Sequence, residues 1–436
     1  MRVADNRLMT LAEQAWQGHL DLTFDHHPVN SPMPGGFEVV EGVLAHKGVA
    51  YVYAIDTGDG LVLLDAGLKI EANHIFRAVR EWRTDSPVRL IVFSHHHVDH
   101  VFAASVFTDE ARDRGWPAPE VVSHRDTPAH FDRYIKTAGW NTAINRRQFA
   151  INAPNYFWPT DYRYPDKVFD QQLVRRVGSL TFELNHARGE TDDHTWTWIP
   201  ERKILMPGDL FIWALPNAGN PQKVQRYVSD WASALREMDT RGAHVMIPGH
   251  GFPIVGAERI HQALTETAAL LEDIEAQVLS LMNQGQSLDE VYQAVEFSQP
   301  PQPYLSSVYD DPRFLIRMIW RQYGGWWDGE YDTLLPASKT ELAQTWVRLS
   351  GGLDDVLAQA TIELSADRLD IAAHLIEAAF HTAPNDPQMH ALRARIYRAR
   401  ANAQSASMPR NLFNHAARSS DAGKRDLASA DLNSDD

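Results

Sequence analysis

The stretch 94-SHHHVDHVFAA-104 places four histidines and an aspartate within six consecutive positions. It directly follows the apolar run 89-RLIVF-93, whose branched and aromatic side chains predict a β-strand. A tight loop at a strand end can aim alternate side chains at one point, so this loop predicts metal ligands. Its H-x-H-x-D-H pattern is formed by His95, His97, Asp99 and His100. The alternative, a hydrated histidine-rich loop, fits neither the spacing nor the preceding strand.

Four ligands in one loop cannot complete two metal sites, so further ligands are expected downstream. Three short glycine-containing loops follow predicted strands, at 188-RGETDDHTW-196, 206-MPGDLF-211 and 247-IPGHGFP-253. Their candidate ligands are Glu190, Asp192, Asp193, His194, Asp209 and His250. Each loop alone would be an ordinary turn with an incidental charge. As an ordered set behind the histidine loop, they indicate a metal centre with two ions.

The composition narrows the class of function. At 436 residues and 44% hydrophobic content, the chain can form two or three packed domains. Its formal net charge of −16 argues against nucleic acid as a partner, because a phosphate polyanion binds to a basic surface. The chain has no cysteine, which excludes thiolate ligands and a cysteine nucleophile. Without a signal-like N-terminus or a run of about 18 apolar residues, we expect a cytoplasmic protein with no membrane span.

The pattern of predicted elements changes along the chain. Up to about residue 255, strand-like runs alternate with helical patterns such as 70-IEANHIFRAVREW-82, which predicts a layered α/β sandwich. Beyond that point strands vanish, and helix–turn–helix patterns predict an all-α, repeat-like region. We therefore expect a catalytic domain over 1–256, a helical domain over 257–418 and a disordered tail over 419–436.

The ordered motifs resemble those of the metallo-β-lactamase superfamily. HHHVDH, GETDDH, MPGD and IPGHG occur in that order after 61-LVLLDAG-67, within about residues 40–255. The resemblance implies an αββα sandwich with two metal ions between its sheets. The implied ligands are His95, His97 and Glu190 for the first ion, Asp99, His100 and His250 for the second, and Asp209 as a bridge. Asp65 would support the histidine loop from behind.

One position narrows the resemblance to a branch of the superfamily. The third motif commonly supplies a histidine, and Glu190 takes that place here, as in the bacterial alkyl sulfatases. The stretch 309-YDDPRFLIRMIWRQYGGWWDGEYDTLLPA-337 is similar to the start of their dimerisation domain, and 405-SASMPRNLF-413 to its end. A homodimer through the helical domain is therefore implied, with the arm at 299–312 crossing to the partner. The alkyl sulfatases continue into a sterol-carrier-like domain for which this chain has no counterpart, so a long alkyl substrate is doubtful.

The ligand set predicts the chemistry. Two divalent ions can share a water and lower its pKa from 15.7 to about 7, which makes a nucleophile at neutral pH. Zinc is the expected metal, two ions per chain, with manganese or iron as alternatives. Asp99 would orient the nucleophile, and His194 is a second catalytic candidate that could donate to the substrate or to a metal-bound carboxylate. Glu190 adds a negative charge, which should weaken the metals slightly as Lewis acids.

Substrate recognition is carried by weaker signals. An anionic group could be bound by Arg146 or Arg147 in 140-WNTAINRRQF-149, although both could equally be solvated helix charges. Lys223 or Arg226 are weaker matches for a second cation. The predicted function is a dinuclear metal hydrolase that cleaves a small anionic ester, most plausibly a sulfate ester. The alternatives are a carboxylic ester, lactone or thioester hydrolase, and a non-catalytic metal-binding scaffold.

Overall fold

The computed structural model describes residues 3–20, 22, 33–153, 155–297 and 302–430. The chain forms two compact units, each of which is discontinuous in sequence. The first unit combines the residues up to Lys136 with Pro159–Trp326. The second combines Thr137–Trp158 with the residues from Trp327 onward. The first unit therefore continues well beyond residue 256, where the sequence predicts the end of the catalytic domain.

A seven-stranded sheet occupies the N-terminal half of the first unit. Its strands are, in chain order and in spatial order, β1 (Met33–Val40), β2 (Val43–Lys47), β3 (Tyr51–Asp56), β4 (Leu61–Leu64), β5 (Val88–Val92), β6 (Glu120–His124) and β7 (Lys167–Phe169). The strands from β1 to β4 pair antiparallel, and those from β4 to β7 pair parallel. The carboxyl ends of β4, β5 and β6 consequently meet at one edge of the sheet.

A six-stranded sheet follows. Its strands are β8 (Gln172–Val177), β9 (Leu180–Ala187), β10 (His194–Ile199), β11 (Ile204–Gly208), β12 (Val245–Pro248) and β13 (Ile254–Val255). They lie in reverse spatial order from β13 to β8, and only the pair β11 and β12 is parallel. One continuous apolar core contains buried residues of both sheets, among them Val62, Val92, Phe182, Leu184 and Trp196. The two sheets therefore pack against each other through alternating inward side chains.

Helices flank the two sheets. The first part of the chain contains α1 (Arg7–Trp16), α2 (Ala72–Trp82), α3 (Ala104–Arg114), α4 (Thr127–Lys136), α5 (Ala138–Gln148), α6 (Val228–Asp239), α7 (Ala257–Asn283), α8 (Leu288–Ala294) and α9 (Pro312–Gly324), of which α5 belongs to the second unit. In α2, Ile75, Ala78 and Val79 share the buried face, as the helical spacing predicts. The predicted fold class, an αββα sandwich followed by a helical region, is confirmed.

The regular secondary structure in the described residues of the second unit is helical. It contains α5, α10 (Tyr331–Leu334), α11 (Lys339–Leu349), α12 (Leu353–Ser365), α13 (Leu369–Thr382), α14 (Pro387–Asn402), α15 (Ser407–Asp421) and α16 (Leu427–Ala430). Its core includes Val347, Val356, Ile376, Phe380 and Ile396. The predicted disordered tail begins inside α15 and includes α16, and its last residues, 431–436, lie outside the described residues. In the part of the chain that the structure describes, helices lack the length and continuous apolarity that a membrane crossing requires.

Candidate metal centre

Loops at the ends of β5, β9, β11 and β12 bring the predicted ligands together. The ligand atoms of the first group lie within 4.8 Å of one another and belong to His95, His97, Glu190 and Asp209. The atoms of the second group also lie within 4.8 Å and belong to Asp99, His100 and His250. The structure thus gathers the seven residues that the sequence proposes as ligands into two adjacent groups.

The first group is arranged around the Oε2 atom of Glu190. This oxygen lies 3.4 Å from His95 Nε2 and 3.4 Å from His97 Nδ1. Ligand atoms on a tetrahedral zinc ion, about 2.1 Å from the metal, are also about 3.4 Å apart. The carboxylate oxygen therefore has the separation from each imidazole that a shared cation would require, while the two imidazole nitrogens lie closer together, at 2.8 Å.

Asp209 connects the two groups. Its Oδ2 atom lies 3.9 Å from His95 Nε2 in the first group, and 3.4 Å from His100 Nε2 and 3.2 Å from His250 Nε2 in the second. Burial alone would raise the pKa of Asp209, but the positive charges of His250 and His100 hold it well below the usual range. An ionised oxygen that faces both groups is suited to bridge two cations.

Several buried atoms in these groups have no hydrogen-bond partner. They are His100 Nε2, Glu190 Oε2 and Asp209 Oδ1. Leaving a buried polar atom unsatisfied costs about 1–3 kcal/mol, so proteins rarely collect several in one place without a ligand. Coordination of divalent ions would satisfy His100 Nε2 and Glu190 Oε2, which lie among the ligand atoms of the two groups. The residues present therefore fit the divalent metals that this donor set predicts.

Contacts outside the two groups fix the orientation of the ligands. Asp65, at the end of β4, adopts a left-handed backbone conformation with φ 64°. Its Oδ1 accepts the Ser94 N–H at 2.6 Å, and its Oδ2 accepts the His100 Nδ1–H at 2.7 Å. His250 likewise donates its Nδ1–H to the carbonyl of Val49 at 2.9 Å. Both bonds direct the Nε2 lone pair of the ring toward the ligand group, as in known metal sites.

Glu190 is held by two side chains that the sequence does not single out as its partners. Its Oε1 accepts hydrogen bonds from Arg226 Nη1 and Asn217 Nδ2, both at 2.6 Å. Burial would raise the pKa of Glu190, but the charges of Arg226 and His97 keep it well below its usual range. The charge argument from the sequence is therefore corrected, because Arg226 compensates the negative charge that Glu190 adds. Arg226 is paired with Glu190 through Nη1, and its role as the substrate cation considered above stays a prediction.

His194 lies outside both ligand groups. Its Nε2–H donates to the carbonyl of Pro207 at 3.1 Å, and its ring stacks on His95 with centroids 4.8 Å apart. Its other nitrogen, Nδ1, is buried without a hydrogen bond. In this arrangement His194 supports the turn that precedes Asp209, and its only donor proton is used by the backbone. A catalytic role for His194 stays a prediction.

A third set of residues forms a hydrogen-bonded network behind the first group. His96 donates its Nδ1–H to Asp193 at 2.8 Å, and Asp193 also accepts the Thr127 hydroxyl at 2.8 Å. Burial lowers the pKa of His96 to about 4, so its Nε2 is free of a proton and accepts from Arg133 at 3.1 Å. Asp193 thus lies outside the two ligand groups and is held in this network. The runs HHH at 95–97 and DD at 192–193 are visible in the sequence. The pairing of His96 with Asp193 could not be predicted from them, because the two residues are 97 positions apart.

The positively charged side chains that could bind an anionic substrate have different surroundings. Arg147 forms an ion pair with Asp426, and Arg146 is buried and donates to the carbonyl of Tyr156 at 3.1 Å, all within the second unit. Lys223 belongs to the first unit and is partly buried. Burial lowers its pKa to about 8, with a further contribution from Arg226, while the carboxylates of Glu190 and Asp99 oppose the shift. The charge of Lys223 therefore interacts with one carboxylate of each ligand group.

Two regions of the chain match known families. Residues 46–250 match the family model of the metallo-β-lactamase superfamily, and residues 288–423 match that of alkyl sulfatase dimerisation. A linear primary-alkylsulfatase from a Pseudomonas species is 24% identical over 373 residues, covering 79% of this chain and 69% of the relative. An (R)-specific secondary-alkylsulfatase from Pseudomonas is also 24% identical over 373 residues, covering 77% of this chain and 54% of that relative.

A solved structure shows the same fold. The stereoselective inverting sec-alkylsulfatase Pisa1 from a Pseudomonas species superposes with a TM-score of 0.80 at 22% identity, covering 90% of this chain and 66% of that chain. At this level of identity, the likeness establishes the fold alone. The chain spans between about half and just over two thirds of the length of these relatives.

Changing Asp65 to Asn should weaken metal binding at the second ligand group. An amide cannot accept from both Ser94 and His100 as the carboxylate does, so the His100 ring loses its fixed orientation. We expect the zinc affinity of one of the two sites to fall about 10–100-fold, as measured by competition with a chromophoric chelator. Asp56→Asn, which removes a carboxylate paired with Arg83, is the matched control and should bind zinc normally. Wild-type affinity in Asp65→Asn would contradict this role.

Proposed function

Because the chain belongs to the metallo-β-lactamase superfamily and carries an alkyl sulfatase dimerisation region, we propose that it is a metal-dependent hydrolase of sulfate esters. The observation that carries the proposal is the pair of ligand groups on either side of Asp209 Oδ2. The relatives named alkylsulfatases favour a sulfate ester over the other ester-like bonds that such a centre can hydrolyse. Carboxylic esters, lactones and thioesters are the alternatives that the experiments below separate.

The residues suggest how hydrolysis would proceed. Two divalent ions held by the ligand groups supply the Lewis acidity that makes water a nucleophile at neutral pH. Asp99 has a side chain that is 20% exposed, and its Oδ2 lies 3.5 Å from His250 Nε2 and 3.6 Å from His100 Nε2. This carboxylate is placed to orient the attacking water and accept its proton. With no cysteine in the chain, a thiolate nucleophile is excluded.

We propose zinc as the metal, with manganese or iron as alternatives. Four of the seven proposed ligands are histidines, and imidazole nitrogens suit zinc, whereas a site made only of oxygens would favour magnesium or calcium. The Arg226 guanidinium offsets the charge of Glu190, so the first group resembles a site with a neutral third ligand. This compensation removes the main electrostatic reason to prefer a harder metal.

The purified protein should contain close to two metal ions per chain and lose its activity when chelators remove them. Asp209→Ala should weaken both sites, by more than the roughly 10–100-fold loss typical of a supporting contact. Elemental analysis and zinc titration measure both effects. Asp192→Ala is the matched control, because Asp192 lies in the same loop as Glu190 but pairs with His130. Fully active protein with at most one ion would contradict a dinuclear mechanism.

We propose that Lys223 contributes to binding the anionic group of the substrate. Its charge interacts with the carboxylates of Glu190 and Asp99, which are proposed ligands of the two groups. A cation in a partly buried position makes stronger charge-assisted bonds to a sulfate than an exposed cation does. The proposal that Arg146 or Arg147 binds this group stays alongside it. Of these two, Arg147 already has an anionic partner in Asp426.

A panel of alkyl sulfates, aryl sulfates, lactones, thioesters and aryl acetates tests the reaction and its recognition together. We expect sulfate esters to be hydrolysed fastest. Lys223→Met should slow their turnover about 10-fold, the effect of one charge-assisted bond, and leave neutral aryl acetates nearly unchanged. If Arg146 binds the anion, Arg146→Ala should also slow the turnover of sulfate esters and leave neutral aryl acetates nearly unchanged. Arg147→Ala should mainly lower thermal stability. Exposed Lys167 serves as a control through Lys167→Met.

The same panel of substrates can also contradict the proposal. If no sulfate ester is hydrolysed and a lactone or aryl acetate is, the protein is a neutral-ester hydrolase of the same superfamily. If no ester-like compound is hydrolysed by protein that holds two metal ions, the non-catalytic scaffold becomes the better description. If Lys223→Met slows the hydrolysis of anionic and neutral esters equally, Lys223 does not contribute to recognition of the anionic group.

We propose that the helical region forms a homodimer. An exposed apolar stripe on α11 supports this: Leu342, Trp346 and Leu349 follow helical spacing and are 47%, 57% and 71% exposed. The opposite face of α11 is already buried through Ala343 and Val347. A second apolar face is typical of a protein interface. The arm at 299–312 was expected to cross to the partner; residues 298–301 lie outside the described residues, and the part from Pro303 bonds to its own chain.

Trp346→Glu should convert the dimer to a monomer, because it places a charge at the centre of the stripe. Light scattering should report half of the wild-type mass. Gln344→Glu adds the same charge to the same helix, two positions away and off the stripe, so it should remain dimeric. A wild-type protein that is monomeric at micromolar concentration would reject the proposal.

A further inference from the structure

The loop that follows Asp209 is attached to the segment before α9. The Leu215 N–H donates to the carbonyl of Ser306 at 3.0 Å, and the Gly219 N–H donates to Asp310 Oδ2 at 2.9 Å. Asp310 is completely buried, and its Oδ1 accepts the Asp311 N–H at 2.9 Å. Both oxygens of a buried carboxylate are therefore used to hold backbone.

At Gly219, the loop after Asp209 lies close to the backbone at the start of α9. A Cβ atom at this position would lie 2.5 Å from the carbonyl carbon of Phe314 and 2.6 Å from the nitrogen of Leu315. Both neighbours are backbone at the start of α9, so neither can move like a flexible side chain. The loop is therefore seated directly on the first turn of α9, with Asp310 as the side chain that fixes its position.

The same loop supplies the contacts of Glu190. Asn217, two residues before Gly219, donates to Glu190 Oε1 at 2.6 Å. Arg226 donates to Glu190 Oε1 and also to the carbonyl of Asn217. These bonds hold one oxygen of the carboxylate and turn the other, Oε2, toward His95 and His97. A shift of the loop would move Asn217 and release this orientation.

We propose that Asp310 is a positioning residue for the first ligand group: by fixing Gly219, it holds Asn217 against Glu190 and keeps Glu190 Oε2 aimed at the metal. The proposal rests on the metal centre of the proposed function but not on the identity of the substrate. It links a residue of the helical half of the sequence to a ligand 120 positions earlier through two hydrogen bonds within one unit. A helix-capping role without effect on the metal is the competing explanation.

The test compares zinc binding by Asp310→Asn, Asp311→Asn and Asn217→Ala, with competition against a chromophoric chelator and the absorption spectrum of the cobalt-substituted protein. Asp310→Asn replaces one backbone acceptor by a donor. Asp311→Asn is the matched control, because the Asp311 side chain caps α9 through the Arg313 N–H and binds the Arg313 guanidinium. Asn217→Ala removes the last link and leaves the buried Asp310 in place.

We expect Asp310→Asn and Asn217→Ala to weaken one zinc site about 10–100-fold, to change the cobalt spectrum and to leave the other site unchanged. The double variant should be no weaker than the worse single variant. Asp311→Asn should lower the melting temperature while both zinc affinities stay at wild type. Wild-type zinc binding in Asn217→Ala overturns the proposal, even where Asp310→Asn fails to fold. Equal losses in Asp310→Asn and Asp311→Asn also overturn it. If the protein binds zinc but does not hydrolyse sulfate esters, the zinc-binding measurements still test the role of Asp310.

Discussion

The burial of ionised carboxylates at the metal centre is the constraint on which the first unit depends. A buried charge is tolerated only when an opposite charge and hydrogen bonds accompany it. Glu190 meets this requirement with Arg226 and Asn217. Asp209 has only histidine partners among the ion pairs of the described residues. The two carboxylates are therefore electrically unequal, because Glu190 is paired with a permanently charged arginine and Asp209 is paired with titratable histidines.

Strand topology explains how these charges can be collected at all. The parallel arrangement of β4 and β5 brings Asp65 beside the histidine loop, and the parallel pair β11 and β12 brings Asp209 beside His250. Parallel strands end at the same edge, so each loop contributes side chains to one place. The hydroxyls of Tyr51 and Tyr53 bind carbonyls of Gly251 and Pro248, which secures the His250 loop to the other sheet. The site is therefore built into the packing of the two sheets.

Much of this could be predicted from the sequence, because ligand loops carry their signal locally. H-x-H-x-D-H, its preceding strand and the three glycine-containing loops indicated ten candidate ligands, and the family resemblance implied the seven of them that the structure gathers. The supporting residues carried no such signal, since Arg226 meets Glu190 across 36 positions and Asp310 meets Gly219 across 91. Arg147 was proposed from a local motif, but its partner Asp426 lies 279 positions away. The sequence assigned helices α7 to α9 to a separate domain. The periodicity of a helix reveals that one face is apolar, but it does not reveal which part of the chain packs against that face.

The discontinuity of the second unit has a consequence for synthesis on the ribosome. Helix α5 emerges early, but Arg147 pairs with Asp426, and the carbonyl of Gln148 accepts from Asn411 Nδ2 at 2.9 Å, 263 positions later. At translation rates of about 5–20 residues per second, these contacts are absent for many seconds. During that interval α5 lacks the contacts that α15 and α16 later provide. A nascent chain stalled before residue 400 would expose this segment to chaperones and proteases.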